Sequence, residues 1–470
     1  MIINSEKILN EFSTFSKIII RIDEPQLISF SFQVEQTDSL ELIDGLNNFS
    51  DNIFLFQAPD KRYSITGINT ALELNSSRNT NFLSVSDSLN HWKKNTVKNW
   101  NEIDIGSVPL ICCAAKFDFS KSSELWKDFD PLNMFIPEFI FLFKNDQVNG
   151  FFNFIMDNTT SAEIISNKLK HYLKIFTSFS KNPVENFGAK IKSQLKSGKE
   201  QIIEWQKSYK KALDILHMGT VEKLVLSRIN NFTINDLNSW TNLLRKLFNR
   251  FNDCYLFFIK RKKSFFFGSS PEMFLKITNN FAEVESVAGS APRGEGFETD
   301  HQYERLLKTS KKNHLEHHFV SEYISEILFR YSDNVSIIEE KQIRKLDNIQ
   351  HLITKISAEL NSNFKLFELI DSLFPTPAVC GVPKDSAMNF IRKLESHDRG
   401  LYSGLVGVMD FNGDCELAVS IRSALIKDNQ VTAFAGAGLV KDSISDEEFF
   451  ETNLKLNTIL SLFDNENKSK

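Results

Sequence analysis

Seven charged residues from position 223 onward are of the types that bind an anion and move a proton: Lys223, Glu272, Glu316, Arg422, Glu448, Glu451 and Lys455. Arginine carries a rigid donor fork that matches two carboxylate oxygens. Around Arg422, Leu417, Val419, Ile421 and Leu425 alternate with Ala418, Ser420, Arg422 and Ala424. On one continuous strand that alternation sends Arg422 to a face of small residues, where a bound carboxylate has room. The segment alone fits a solvated arginine equally well. Glu448, Glu451 and Lys455 stand at i, i+3 and i+7, on one face of a helix. The plain alternative is a capping Glu448 and a surface Glu451–Lys455 pair worth about 0.3–0.5 kcal/mol. In KKNHLEHHFVSEYISEIL, Asn313, Glu316, Val320 and Tyr323 share a helical face. If Glu316 meets Glu451 in space, the two carboxylates offer the hard oxygen ligands that Mg2+ takes, with other positions left to water and substrate.

Lys223, in VEKLVLSR, shares a strand face with Val225 and Ser227. A lysine there is ordinarily solvated; buried near other cations it can serve as a general base. Glu272 closes SSPE, between the apolar runs 265–267 and 273–277, where a capping or solvated glutamate is the plain reading. His314, His317 and His318 flank Glu316, but HLEHH is neither HExxH nor HxxEH, so a zinc hydrolase is the weaker alternative. FAGAGLV has Gly436 and Gly438 but Lys441 where a dinucleotide loop has its third glycine. The same glycines suit a backbone that lies close to an anion.

These residues need elements to hold them. Residues 405–409, 416–426 and 431–435 read as an antiparallel meander, with Asn412-Gly413 as its first turn. Ser445 opens a helix with Glu448 in capping-box register. Ile202, Trp205, Tyr209, Ala212, Leu213 and Leu216 recur at helical spacing before Gly219, and a strand follows over 221–228. Residues 18–22 and 53–56 are further strand candidates. The polar stretch 178–200, with Pro183, Gly188 and Gly198, is the expected connector between an N-terminal part (1–177) and a catalytic region (201–462), and 463–470 is expected to be a disordered tail. Strands joined by hairpins, with helices gathered around them, imply an α+β fold.

The 470 residues suit two or three domains or one large one, and 41% hydrophobic residues supply a substantial core. With 55 Lys+Arg against 60 Asp+Glu, the net charge of −5 leaves no basic footprint for nucleic acid. No run approaches the roughly 18 apolar residues that span a bilayer, and the start lacks a leader pattern, so a cytoplasmic protein without membrane contact is expected. Five scattered cysteines without a CxxC argue for buried thiols.

In order, EKLVLSR, SSPEMFL, VAGSAPRG, the EH-containing helix, PTPAV, RGLYSG, IRSAL, GAG and ETxxK resemble the chorismate-utilising enzymes, over roughly residues 200–460. That family includes the isochorismate, salicylate, anthranilate and aminodeoxychorismate synthases. The resemblance implies large antiparallel sheets packed together with helices outside, and a small-molecule substrate, chorismate. It places Lys223 as the base that deprotonates water and Glu272 as the acid that protonates the departing hydroxyl. Glu316 and Glu451 match the two Mg2+ glutamates, and Glu448 an outer metal residue. Gly289, Ser290, His351, Ala378, Tyr402, Arg422, Gly436 and Lys455 match groups around the substrate. Lys at 223, where anthranilate synthases usually have Gln, and Ala288, where aminodeoxychorismate synthases have Lys, point to a water-using member. No glutaminase subunit is then expected. Isochorismate formation is the expected activity, with salicylate synthesis as the alternative, then an amine-using component, and last a member that binds without turnover. Two departures stand out: Phe374 replaces a histidine often found before PTPA, and Asn313 stands where an acidic group is common.

Overall fold

The computed structural model describes residues 3–17, 24–35, 37, 39–46, 49–74, 81–100, 111–178, 190–235 and 240–463. The strand expected over 18–22, residues 179–189 of the 178–200 connector and the tail from 464 lie outside them; the rest of that connector carries the strand Ile191–Gln194 and the start of a helix at Gly198. Among the described residues the chain builds two sheets, of thirteen and nine strands. The first runs through Ile191–Gln194, Lys223–Ile234, Gln430–Leu439, Ser423–Lys427, Ser264–Ser270, Tyr255–Arg261, Asn52–Gln57, Ser64–Ile68, Phe139–Lys144, Gln147–Met156, Gln26–Val34 and Thr96–Lys98. The short Gly381–Val382 pairs onto Lys223–Ile234. The second runs through Val335–Lys345, Ile349–Glu359, Phe281–Pro292, Met273–Thr278, Cys415–Val419, Leu405–Met409, Ile111–Ala115, Leu132–Ile136 and Leu72–Glu73. Both sheets mix strands from the first and last thirds of the chain. The expected α+β class, with antiparallel sheets and outer helices, is what the chain forms.

Alternation along the strands explains the layering. Phe54, Phe56, Phe257 and Phe266 of the first sheet meet Ala114, Phe135, Val406, Val408 and Ala418 of the second in one buried cluster, so the sheets pack face to face. Their neighbours Ile53, Leu55, Phe258 and Phe267 turn the other way, onto Phe12, Leu169, Leu247 and Ile459 of the helices Ser5–Ser16, Ala162–Ser178, Trp240–Arg250 and Ser445–Leu460. Leu275, Val284, Ile356 and Leu417 of the second sheet meet Val320, Ile324, Leu369 and Ile370 of the helices Lys311–Leu328 and Leu366–Leu373. Strands with both faces covered read as unbroken apolar runs such as NIFLFQ.

Several local expectations hold. Gly198–His217 is a helix with the Ser197/Glu200 capping box, and Gly219, at φ 73°, closes it. Asp410 accepts the N–H groups of Asn412 and Asp414 and so ties the turn that contains Gly413. Two expectations fail. Ser445 does not cap its helix: Ile444 holds the cap position with no side-chain bond, and Glu448 turns to Lys312 instead. The stretch 416–426 is not one strand of a meander. Cys415–Val419 belongs to the second sheet and Ser423–Lys427 to the first, so the chain changes sheets at 420–422.

Candidate active site

Two of the places where the chain passes directly between the sheets lie side by side. Ser264–Ser270 leaves the first sheet, and beyond Pro271 and Glu272 the chain re-enters the second as Met273–Thr278. Pro271 cannot continue the ladder. The return crossing passes through Ser420, Ile421 and Arg422. Each crossing bonds the other: Val419 N–H donates to Glu272 O at 3.1 Å, and Ser269 N–H to Arg422 O at 3.2 Å. Arg422 has φ 50° and nearby Ser403 φ 61°, left-handed values that disfavour non-glycine residues and gather where surrounding structure enforces them. Arg422 therefore sits between two strands and not on one, so strand alternation does not set its direction, although its side chain does reach the pocket.

The crossings open a pocket of about 640 Å3, mouth included. Of the thirteen candidates, Glu272, Gly289, Ser290, Glu316, His351, Ala378, Tyr402, Arg422, Gly436, Glu451 and Lys455 line it. Lys223 and Glu448 lie just behind. Lys223 Nζ is 3.1 Å from Glu316 Oε1, an ion-pair distance at an angle that makes no hydrogen bond, and its side chain is fully buried. Glu448 pairs with Lys312.

Arg422, His351, Ser290 and Glu451 form one relay. Arg422 donates to His351 Nε2 at 2.9 Å. Because a guanidinium only donates, that nitrogen accepts, and Nδ1–H faces Ser290 Oγ at 3.0 Å. Burial, reinforced by Arg422 and Lys455, holds the imidazole well below its usual pKa, so it is neutral. Ser290 hydrogen-bonds Glu451 in turn. Ser290 pairs with His351 across Phe281–Pro292 and Ile349–Glu359 only because the register slips at Gly289, whose φ is 80°. That bulge re-aims Ser290. A Cβ on Gly289 would come within 3.0 Å of Asn313 Cβ, so Asn313 packs against the bulge.

Lys455 Nζ binds Glu451 Oε1 at 2.6 Å and Gly436 O at 2.9 Å. A Cβ on Gly438 would fall 2.1 Å from Glu316 Oε1, and one on Gly436 3.1 Å from the Tyr402 hydroxyl. The GAG glycines thus make room for the carboxylate and the phenol. Tyr402 stacks on Phe434 and is pushed up to about 12 by burial, so it stays protonated. Burial also lifts Glu272 to about 8, with Lys223 opposing and Glu285 adding to the rise. Glu272 therefore carries a proton at neutral pH.

Glu316, Glu448 and Glu451 are hard oxygen donors that could hold a divalent cation. Burial, then the charge of Glu451, lifts Glu448 to about 7, with Lys312 opposing and Glu316 adding. Such mutual repulsion is what a divalent ion relieves. Among the described residues no three His, Cys, Asp or Glu side chains make a closed cage; Mg2+ at two carboxylates plus water and substrate does not need one. The three histidines diverge: His317 is bound to Ala288 O and Thr354 Oγ1, His314 to Lys308 O, and His318 faces Glu322.

Two buried residues escaped the sequence reading. Arg399 forks onto Glu395 at 2.9 and 2.6 Å and donates to the carbonyls of Val379 and Val225, which line the pocket. Their i, i+4 spacing was the available signal.

Known proteins are similar to this chain along nearly its whole length. Isochorismate synthase MenF of Bacillus subtilis is 26% identical, with 95% of each chain covered. The salicylate biosynthesis isochorismate synthase of Pseudomonas aeruginosa is 26% identical over 93% of this chain and 90% of its own. The structure of MenF, the menaquinone-specific isochorismate synthase of Escherichia coli, superposes with a TM-score of 0.78 at 20% identity, covering 97% of this chain and all of that one. The family model described as chorismate binding enzyme matches residues 13–464, so the chain belongs to the chorismate-binding enzyme family.

Proposed function

We propose that this enzyme converts chorismate to isochorismate. The observation that carries the reading is a buried carboxyl, Glu272, lifted to about 8 and facing a pocket where Arg422 and Lys455 supply fixed positive charge. Chorismate carries two carboxylates, which these cations match. Water adds at ring C2, the ring double bonds shift, and the C4–O bond breaks. Lys223 takes the proton of the entering water, and Glu272 gives a proton to the departing hydroxyl, which leaves as water. One water enters and one leaves, so the reaction balances as an isomerisation. The Tyr402 hydroxyl can hydrogen-bond the substrate, while the neutral His351, held at both ring nitrogens by Arg422 and Ser290, orients the Arg422 guanidinium. Glu316 and Glu451, with Glu448 behind them, would hold Mg2+, which when bound neutralises a substrate carboxylate and orients the ring.

The test is incubation of the protein with chorismate and Mg2+, with products resolved by chromatography. Isochorismate alone supports the reading. Salicylate with pyruvate moves it to a synthase that goes on to eliminate pyruvate, and no conversion by folded protein overturns it.

A further inference from the structure

An ion pair outside the pocket wall grips the crossing that carries Glu272 from both sides. Arg344, on Val335–Lys345, donates to the carbonyl of Pro271 at 2.5 Å. Its two terminal nitrogens also donate to Glu285, at 2.8 and 2.7 Å. Glu285 Oε2 in turn accepts the Met273 N–H at 3.3 Å. The residues immediately before and after Glu272 are therefore tied to one forked pair, with Glu285 only 6% exposed. We propose that Arg344 and Glu285 are positioning residues for proton donation by Glu272, clamping its backbone and keeping a negative charge beside its carboxyl.

The inference rests on the reading of Glu272 as the acid. A buried ion pair is weak evidence for stability, since apolar side chains of similar volume often serve as well. Apolar replacements here would leave the Pro271 carbonyl and the Met273 N–H without these partners. The crossing has no ladder of its own at Pro271, so its aim depends on such outside contacts, and small misplacements of a reacting group lower rates steeply. The charges that bear on Glu272 come from several elements: Lys223, Lys455, Arg344 and Arg422 favour its anion, and Glu285 opposes it. Removing the charge of Glu285 while retaining its shape must then make Glu272 ionise at lower pH.

The experiment compares wild type with E285Q and R344K, measuring kcat, KM and the pH profile on chorismate. In parallel, infrared difference spectroscopy titrates the protonated carboxyl band of Glu272, identified by its loss in E272Q. The expected result for E285Q is a carboxyl band and alkaline limb displaced to lower pH, with kcat down about tenfold and KM within about twofold. R344K retains the charge but lacks the fork, and lowers kcat similarly without loss of folding. A band and limb of E285Q that coincide with wild type, or full kcat in R344K, overturn the proposal. If E285Q does not fold, E285D replaces it: lowered kcat with an unmoved limb supports the clamp, and full kcat overturns it. The infrared titration reads Glu272 without turnover. A wrong substrate therefore shows as inactive wild type with the E285Q displacement intact, distinct from failure of the clamp.

Discussion

Glu272 and Lys223 divide the proton traffic, and each role predicts a loss. Glu272→Gln retains the shape of the side chain but has no proton to give, and Lys223→Ala removes the base; each abolishes turnover while the melting temperature stays near that of wild type. Substantial activity in either folded variant would overturn the assignment. The sign of the pH dependence follows from the raised carboxyl. A donor must be protonated, and with Glu272 near 8 the fraction able to donate is nearly complete at pH 7. It falls about tenfold per pH unit above 8. The kcat/KM profile of the free enzyme should therefore bend downward near pH 8. A limb near 4.5, the ordinary glutamate value, would show that Glu272 is ionised at rest. None of this was legible in SSPE taken alone, because a turn between two apolar strands is ordinarily solvated. Glu272 is buried only because those strands belong to different sheets, and its short-range pattern carries no trace of that.

At the level of elements, legibility follows whether the cause is local. The helix ending at Gly219, the turn through Gly413 and the strand holding Ile53 and Phe56 were readable from spacing and turn chemistry. The capping box at Ser445 was not, because Lys312, over a hundred residues away, competes for Glu448. The continuous strand through Arg422 failed for a similar reason: its apolar alternation is real on both sides of the crossing, but the partners change. Phe374 is the instructive case. As a departure from the family pattern it bears on the subfamily, yet its ring lies among Phe82, Phe119 and Phe274 and does not line the pocket. Phe374→Ala should therefore cost about 3–5 kcal/mol of stability, read as a lowered denaturation midpoint, and leave the product unchanged. A new product from this variant would place Phe374 in the chemistry instead.

The three glutamates come from two helices that pack on different sheets and meet at the pocket, where Lys312 of one pairs with Glu448 of the other. Lys311–Leu328, with Glu316, packs on the second sheet, and Ser445–Leu460, with Glu448 and Glu451, packs on Gln430–Leu439 of the first. A cation held by Glu316 and Glu451 would thus fasten the two layers across the pocket, and its binding energy would appear as stability of the whole fold. Ligand present at a hundredfold excess over its Kd stabilises the native state by about 2.7 kcal/mol. Thermal melts should rise with Mg2+ toward such a plateau. The rise should vanish in Glu316→Gln and in Glu451→Gln, whatever their melting temperatures without the ion, since the increment and not the baseline reports the site. EDTA should abolish turnover and Mg2+, not Zn2+, restore it. An unmoved melt together with full activity in EDTA would remove the metal from the reading and leave Arg422 and Lys455 as the charges that hold the substrate.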